Sequence, residues 1–134
     1  MESKTAAAQS LPPHAVIMQM VTGAWVTKAI SEATRLGVPD LVKRHGAMRA
    51  ADMVTTGGMA ASPEALERLL RACASLGVFT EGADGKFGST ALSGVLTSDA
   101  PDSVKKLVEA LGGPWYRCWA ELFDAVKTGK PQAK

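Results

Sequence analysis

A chain of 134 residues with 46% hydrophobic and 21% charged side chains has the size and composition of one globular domain with a core of its own. No apolar run approaches the roughly 18 residues that a membrane span requires. A formal net charge of +2 is too small to mark a nucleic-acid surface. The two cysteines, Cys73 and Cys118, lie far apart in helical patterns, and with two isolated histidines they offer no zinc-binding spacing. A domain this long needs no disulfide staple, so both thiols are expected reduced and the protein cytoplasmic.

The opening Met1-Glu2-Ser3-Lys4-Thr5-Ala6-Ala7-Ala8 lacks the continuous apolar stretch of a secretion signal. Residues 1–13, ending in Leu11-Pro12-Pro13, are expected to form a mobile arm before a domain at 14–130 and a short tail at 131–134. The first strong pattern runs from about Ala15 to Leu36. Ile17, Val21, Trp25, Ala29 and Ala33 recur every four residues, and Val16, Met20, Ala24 and Ile30 form a second stripe beside them. That apolar face is wider than one core requires, so the helix is expected to touch two things, its own core and a partner among the possibilities. Gly37 after Leu36 is a stop signal, and Pro39 forbids simple continuation. A short helix from Asp40 to about His45 and another from Arg49 to Val54 follow.

Ser62 and Pro63 make the clearest helix start in the chain, an N-cap followed by the proline that suits the first helical position. Leu66, Leu69, Leu70, Cys73 and Leu76 fall on one face and Gly77 ends the run, while Glu64 with Arg68 and Glu67 with Arg71 are spaced for i,i+4 pairs on the outer face. Val78-Phe79-Thr80 and Lys86-Phe87-Gly88 flank Gly82-Ala83-Asp84-Gly85. This is a hairpin signal, with Asp84 and Gly85 both expected at positive φ. Two further helices are expected, Asp102 to Leu111 and Trp115 to Thr128, separated by Gly112-Gly113-Pro114. Short helices followed by a small hairpin is the order of a winged helix, so the fold class is mainly α and winged-helix-like, with a β-hairpin wing and two C-terminal helices.

Several stretches, taken in order, resemble the N-terminal domain of bacterial small-molecule O-methyltransferases of the hydroxyneurosporene and plant-like group. They are Met18-Gln19-Met20-Val21-Thr22-Gly23-Ala24-Trp25, Ala33-Thr34-Arg35-Leu36-Gly37-Val38-Pro39-Asp40-Leu41, the run from Leu66 to Phe79, and Trp115-Tyr116-Arg117-Cys118-Trp119. The resemblance extends from about Leu11 to Lys130. It implies a domain that intertwines with its copy on a second subunit and contributes one wall of an acceptor-substrate pocket. It also implies that methyl transfer from S-adenosylmethionine belongs to a following doubly wound domain. The sequence departs from the family in ending at Lys134, where that domain is expected to begin. Neither Gly57-Gly58 nor Gly112-Gly113-Pro114 has the strand–turn–helix context of a cofactor loop. The chain alone is therefore expected to bind no cofactor and to be inactive.

No catalytic residue is assigned. His14, in the Pro-Pro arm, and His45, at a helix end, have no serine or cysteine relay near them in sequence and are read as surface or capping residues. Cys73, on an apolar face, is read as a small hydrophobe. Trp115, Tyr116 and Trp119 have two readings. Trp115 and Trp119 can join Leu122, Phe123 and Val126 in a core stripe, or, as the resemblance implies, one or two of the three rings can line the acceptor pocket. Val16, Met18, Met20, Val21 and Trp25 divide in the same way between own core and dimer interface, pairing about a two-fold axis being the simplest way to bury such patches. The alternative function is a winged-helix DNA-binding regulator. Against it, the exposed face of the would-be recognition helix carries Glu64, Glu67, Arg68 and Arg71, which sum to zero, and the wing sets Lys86 against Glu81 and Asp84. No nucleic acid, membrane or metal partner is expected.

Overall fold

A computed structural model describes residues 10–132. In chain order the elements are α1 (Pro13–Val21), α2 (Gly23–Arg35), α3 (Val38–His45), α4 (Ala50–Thr55), α5 (Pro63–Ser75), β1 (Phe79–Glu81) and β2 (Phe87–Ser89). Then come α6 (Ala91–Gly94), α7 (Lys105–Gly112), α8 (Pro114–Cys118), a 3-10 turn (Trp119–Glu121) and α9 (Leu122–Thr128). The architecture is mainly helical with one antiparallel hairpin, as the sequence implies. Most of the expected mobile arm, residues 1–9, lies outside the described residues, and helix α1 begins at Pro13.

The expected helix from Ala15 to Leu36 is broken in two. Thr22 sits at φ −78°, ψ −1°, its hydroxyl donates back to the Met18 carbonyl at 2.8 Å, and Gly23 follows. A side chain that competes for the backbone ladder, beside a glycine of low helix propensity, explains the break. Gly37 at φ +87° terminates α2 in the left-handed conformation, and α3 starts directly behind it with Pro39 in its first turn. The Ser62 hydroxyl accepts from the Ala65 amide at 3.3 Å, the N-cap expected for α5.

The hairpin pairs Phe79 with Ser89, Thr80 with Gly88 and Glu81 with Phe87. Its turn differs from expectation. Gly85 is left-handed at φ +79°, but Asp84 is not, and the Gly85 amide donates to the Gly82 carbonyl at 3.0 Å. The loop is thus one residue longer than a two-residue primed turn, and the Asp84 carboxylate accepts from the Lys86 amide at 3.1 Å instead of flipping its own backbone. Met48 and Phe87 exchange backbone hydrogen bonds of 3.0 and 2.8 Å, so the segment before α4 adds a third edge to the wing.

The core lies among α3, α4, α5, the hairpin and the C-terminal half of α2. Phe79, Phe87, Met53, Leu70, Val38, Val42 and Cys73 are fully enclosed there. Leu76, expected on the same face of α5, is exposed instead, because it falls at the C-cap where the helix has ended. Helix α6 has no counterpart in the sequence reading. It is held by a capping box in which Thr90 accepts from the Ser93 amide and Ser93 accepts from the Thr90 amide. Asp40 ties α3 to Ser98 and to the start of α7. Its carboxylate accepts from the Ser98 amide (2.8 Å), the Ser98 hydroxyl (2.6 Å) and the Lys105 ammonium (3.1 Å). Partial burial pushes that carboxyl up, but the Ser98 bonds and Lys105 outweigh it and hold it down at about 2.

Candidate functional site

Two segments outside this core concentrate the chain's bare apolar surface. The first is α1 with the front of α2. Helix α1 reads PHAVIMQMV, without a charged residue, and none of its side chains is buried. Ile17, Met18, Met20, Val21 and Trp25 are all exposed, Trp25 to 73%, whereas Val16 is half-buried. The back half of α2 behaves oppositely. Ala33 is buried, and Ala29 and Ile30 pack against the core. The unusually wide apolar face therefore divides along its length, the C-terminal half joining the core and the N-terminal half facing outward.

The second segment runs from α8 through α9. The expected single helix is interrupted by the 3-10 turn at Trp119–Glu121, and no residue from Pro114 to Thr128 is buried. The core-stripe reading of its aromatics is overturned. Trp115 is 55% and Trp119 67% exposed, and Phe123 and Val126 are barer still. Trp115 and Trp119 instead line a largely apolar groove of about 340 Å³ with Leu111, Cys118 and Leu122. Tyr116 does not share it. Its ring lies under the Lys28 ammonium, 5.2 Å from the ring centroid. Exposed Leu107 and Leu111 on α7 extend the apolar surface toward this segment, a contribution the sequence reading missed although both leucines fell inside an expected helix.

The titratable groups form no catalytic constellation among the described residues. His14 and His45 are exposed on different helices. Burial pushes the Cys73 thiol up to about 11, and its sulfur donates weakly to the Ala29 carbonyl at 3.5 Å, so it is a packing residue. No group of three or more His, Cys, Asp or Glu among the described residues is arranged to hold a metal ion. No described helix is long and apolar enough to cross a membrane. On α5 the two expected ion pairs reduce to one. Arg71 bridges Glu67 (3.3 Å) and Glu81 of the hairpin (3.1 Å). Glu64 instead accepts from the Ser62 hydroxyl at 3.3 Å. One arginine of the would-be recognition helix, Arg71, is thereby occupied by two carboxylates.

Comparison with known proteins agrees with this picture. Residues 18–99 match the family model described as the O-methyltransferase dimerisation domain. The chain is 38% identical over 123 residues to phenazine O-methyltransferase PhzM of Lysobacter antibioticus, covering 92% of this chain and 35% of that one. It is 36% identical over 116 residues to the mitomycin biosynthesis 6-O-methyltransferase of Streptomyces lavendulae, covering 85% and 32%. Among solved structures, LaPhzM superposes with a TM-score of 0.82 at 37% identity over 90% of this chain and 35% of that chain. Human N-acetylserotonin methyltransferase in complex with SAM superposes at 0.79 with 31% identity, covering 90% and 36%. The chain thus spans about a third of the length of the relatives it matches. These relatives are methyltransferases, and nothing in them supports a DNA-binding regulator. In sequence and in fold, the chain belongs to the O-methyltransferase dimerisation domain family.

Proposed function

We propose that residues 14–130 form a winged-helix-like module that joins two copies of this chain and supplies one wall of the acceptor pocket of a cytoplasmic, S-adenosylmethionine-dependent O-methyltransferase acting on a small molecule. The observation that carries this reading is the pair of terminal segments, α1 and α8–α9, which are rich in large apolar side chains and contain no buried residue. Surface of that kind is stabilised by a partner, and a two-fold pairing lets one patch serve both subunits. Val16, Met18, Met20, Val21 and Trp25 are assigned to the subunit interface. Trp115 and Trp119 face the acceptor, and Tyr116 belongs to the same wall as its support.

Methyl transfer itself is not assigned to residues of this chain. Among the described residues the strands are a single antiparallel hairpin, and no strand leads through a glycine-rich turn into a helix where a nucleoside cofactor would rest. The S-adenosylmethionine site is accordingly assigned to the other part of the parent enzyme, as the sequence resemblance implies. The solved relative in complex with SAM supports S-adenosylmethionine as the cofactor of the parent enzyme. Sedimentation across a broad concentration range tests the reading, which expects a reversible monomer–dimer equilibrium. A strict monomer at every concentration would remove its basis.

A further inference from the structure

We propose that Lys28 is a positioning residue that fixes the direction of the C-terminal aromatic arm, Pro114 to Thr128, relative to the core. The arm needs such a device. It contributes no buried side chain, and its principal packing against the rest of the domain is through α7. Its orientation is therefore set at the Gly112-Gly113-Pro114 joint.

That joint is built for close approach. A Cβ on Gly112 would lie 2.0 Å from the hydroxyl oxygen of buried Ser31, and one on Gly113 would lie 2.7 Å from the Glu109 carbonyl oxygen. Helix α2 thus rests directly on the end of α7, and the Lys28 ammonium reaches across the contact. It donates to the Gly112 carbonyl at 2.9 Å and to Glu32 at 3.1 Å, and it sits 5.2 Å above the Tyr116 ring. Its neighbours match an ammonium's chemistry. They are a carbonyl at a helix C-terminus, a carboxylate and an aromatic face. The bond between Lys28 and Glu32 alone would be an ordinary i,i+4 surface pair of little consequence. The bond to Gly112 spans 84 positions of sequence and joins α2 to the hinge of the arm. Holding Tyr116 against α2 leaves its neighbours Trp115 and Trp119 to line the groove on α7–α9. The consequence for acceptor binding rests on the pocket-wall reading above, whereas the latch itself does not.

The test compares Lys28→Met, which keeps the stem and removes the charge and donors, with Lys28→Arg, which keeps both. Residue-resolved amide exchange and near-ultraviolet circular dichroism are recorded on the whole chain at one oligomeric state. The latch predicts about tenfold faster exchange over residues 115–128 in Lys28→Met, a weakened Trp/Tyr dichroism band, unchanged exchange in α5 and the hairpin, and recovery of both signals in Lys28→Arg. Unchanged exchange in the arm would overturn it. So would an acceleration spread evenly over α5 and the hairpin, which would make Lys28 a contributor to global stability alone. A loosened arm with unaltered acceptor affinity in the parent enzyme would leave the latch standing and remove the pocket-wall reading instead.

Discussion

The core, from the back half of α2 through the hairpin, and the two terminal arms use the same kinds of residue to opposite ends. In the core Leu70, Met53, Phe79 and Phe87 are enclosed, and among the described residues every buried side-chain nitrogen or oxygen has a hydrogen-bond partner. In the arms Met20, Trp25, Trp119 and Phe123 are as apolar, yet solvent covers most of each. The difference teaches that apolar content does not locate a core. What locates it is whether several elements converge on the same residues, whereas α1 packs mainly on α2 and the C-terminal arm mainly on α7.

The sharpest way to break that contrast is to charge the N-terminal arm. Met20→Asp combined with Trp25→Asp is expected to weaken self-association by about 3–6 kcal/mol, the worth of burying two large apolar side chains, while the thermal midpoint of the monomer barely moves. Sedimentation equilibrium and calorimetry read the two quantities separately. Next comes Leu70→Ala, which opens a cavity where nothing is exposed and should cost about 2–5 kcal/mol in a urea melt. Phe123→Ala, in the arm, should change the same melt by no more than about 0.5 kcal/mol under monomeric conditions.

Where core meets arm, Gly112→Ala forces a methyl into Ser31 and is expected to cost about 1–3 kcal/mol. A pH series probes the Asp40 clasp. Its carboxyl is held at about 2 when folded against 3.8 as its ordinary value, so the folded state takes up a proton less readily than the unfolded chain. The resulting stability, at most about 2 kcal/mol, is fully present above pH 3.8 and is lost as pH falls toward about 2. Denaturant midpoints of wild type and Asp40→Ala should therefore differ at neutral pH and converge in acid. A small effect is expected from Glu67→Ala, which removes an exposed pair worth below about 1 kcal/mol.

Much of the fold was legible in advance because its signals are local. Ser62-Pro63 starts α5, Gly37 and Gly77 at positive φ end α2 and α5, and the hairpin sits where its glycines put it. The signal for α6 is also present, as Thr90 followed three residues later by Ser93, but four residues carry no periodicity to mark a helix. The Asp84 conformation and the Thr22 break depended on side-chain-to-backbone bonds that compete with the expected backbone pattern, and composition does not reveal which partner wins.

The candidate site was legible only as a question. Periodicity placed Trp115, Trp119, Met20 and Trp25 on apolar faces and could not say what each face met. By itself the sequence determined the helix and hairpin order, the core residues of α5, the charge balance that weighs against a DNA surface, and the family. The tertiary structure decided that the wide first helix splits into an outward half and an inward half, that the C-terminal aromatics lie outside the core, and that Lys28 reaches the Gly112 carbonyl. The reason is physical. Caps, turns and periodicity are set by neighbours a few residues apart, whereas exposure depends on which distant elements arrive to cover a face, and for both arms none among the described residues does.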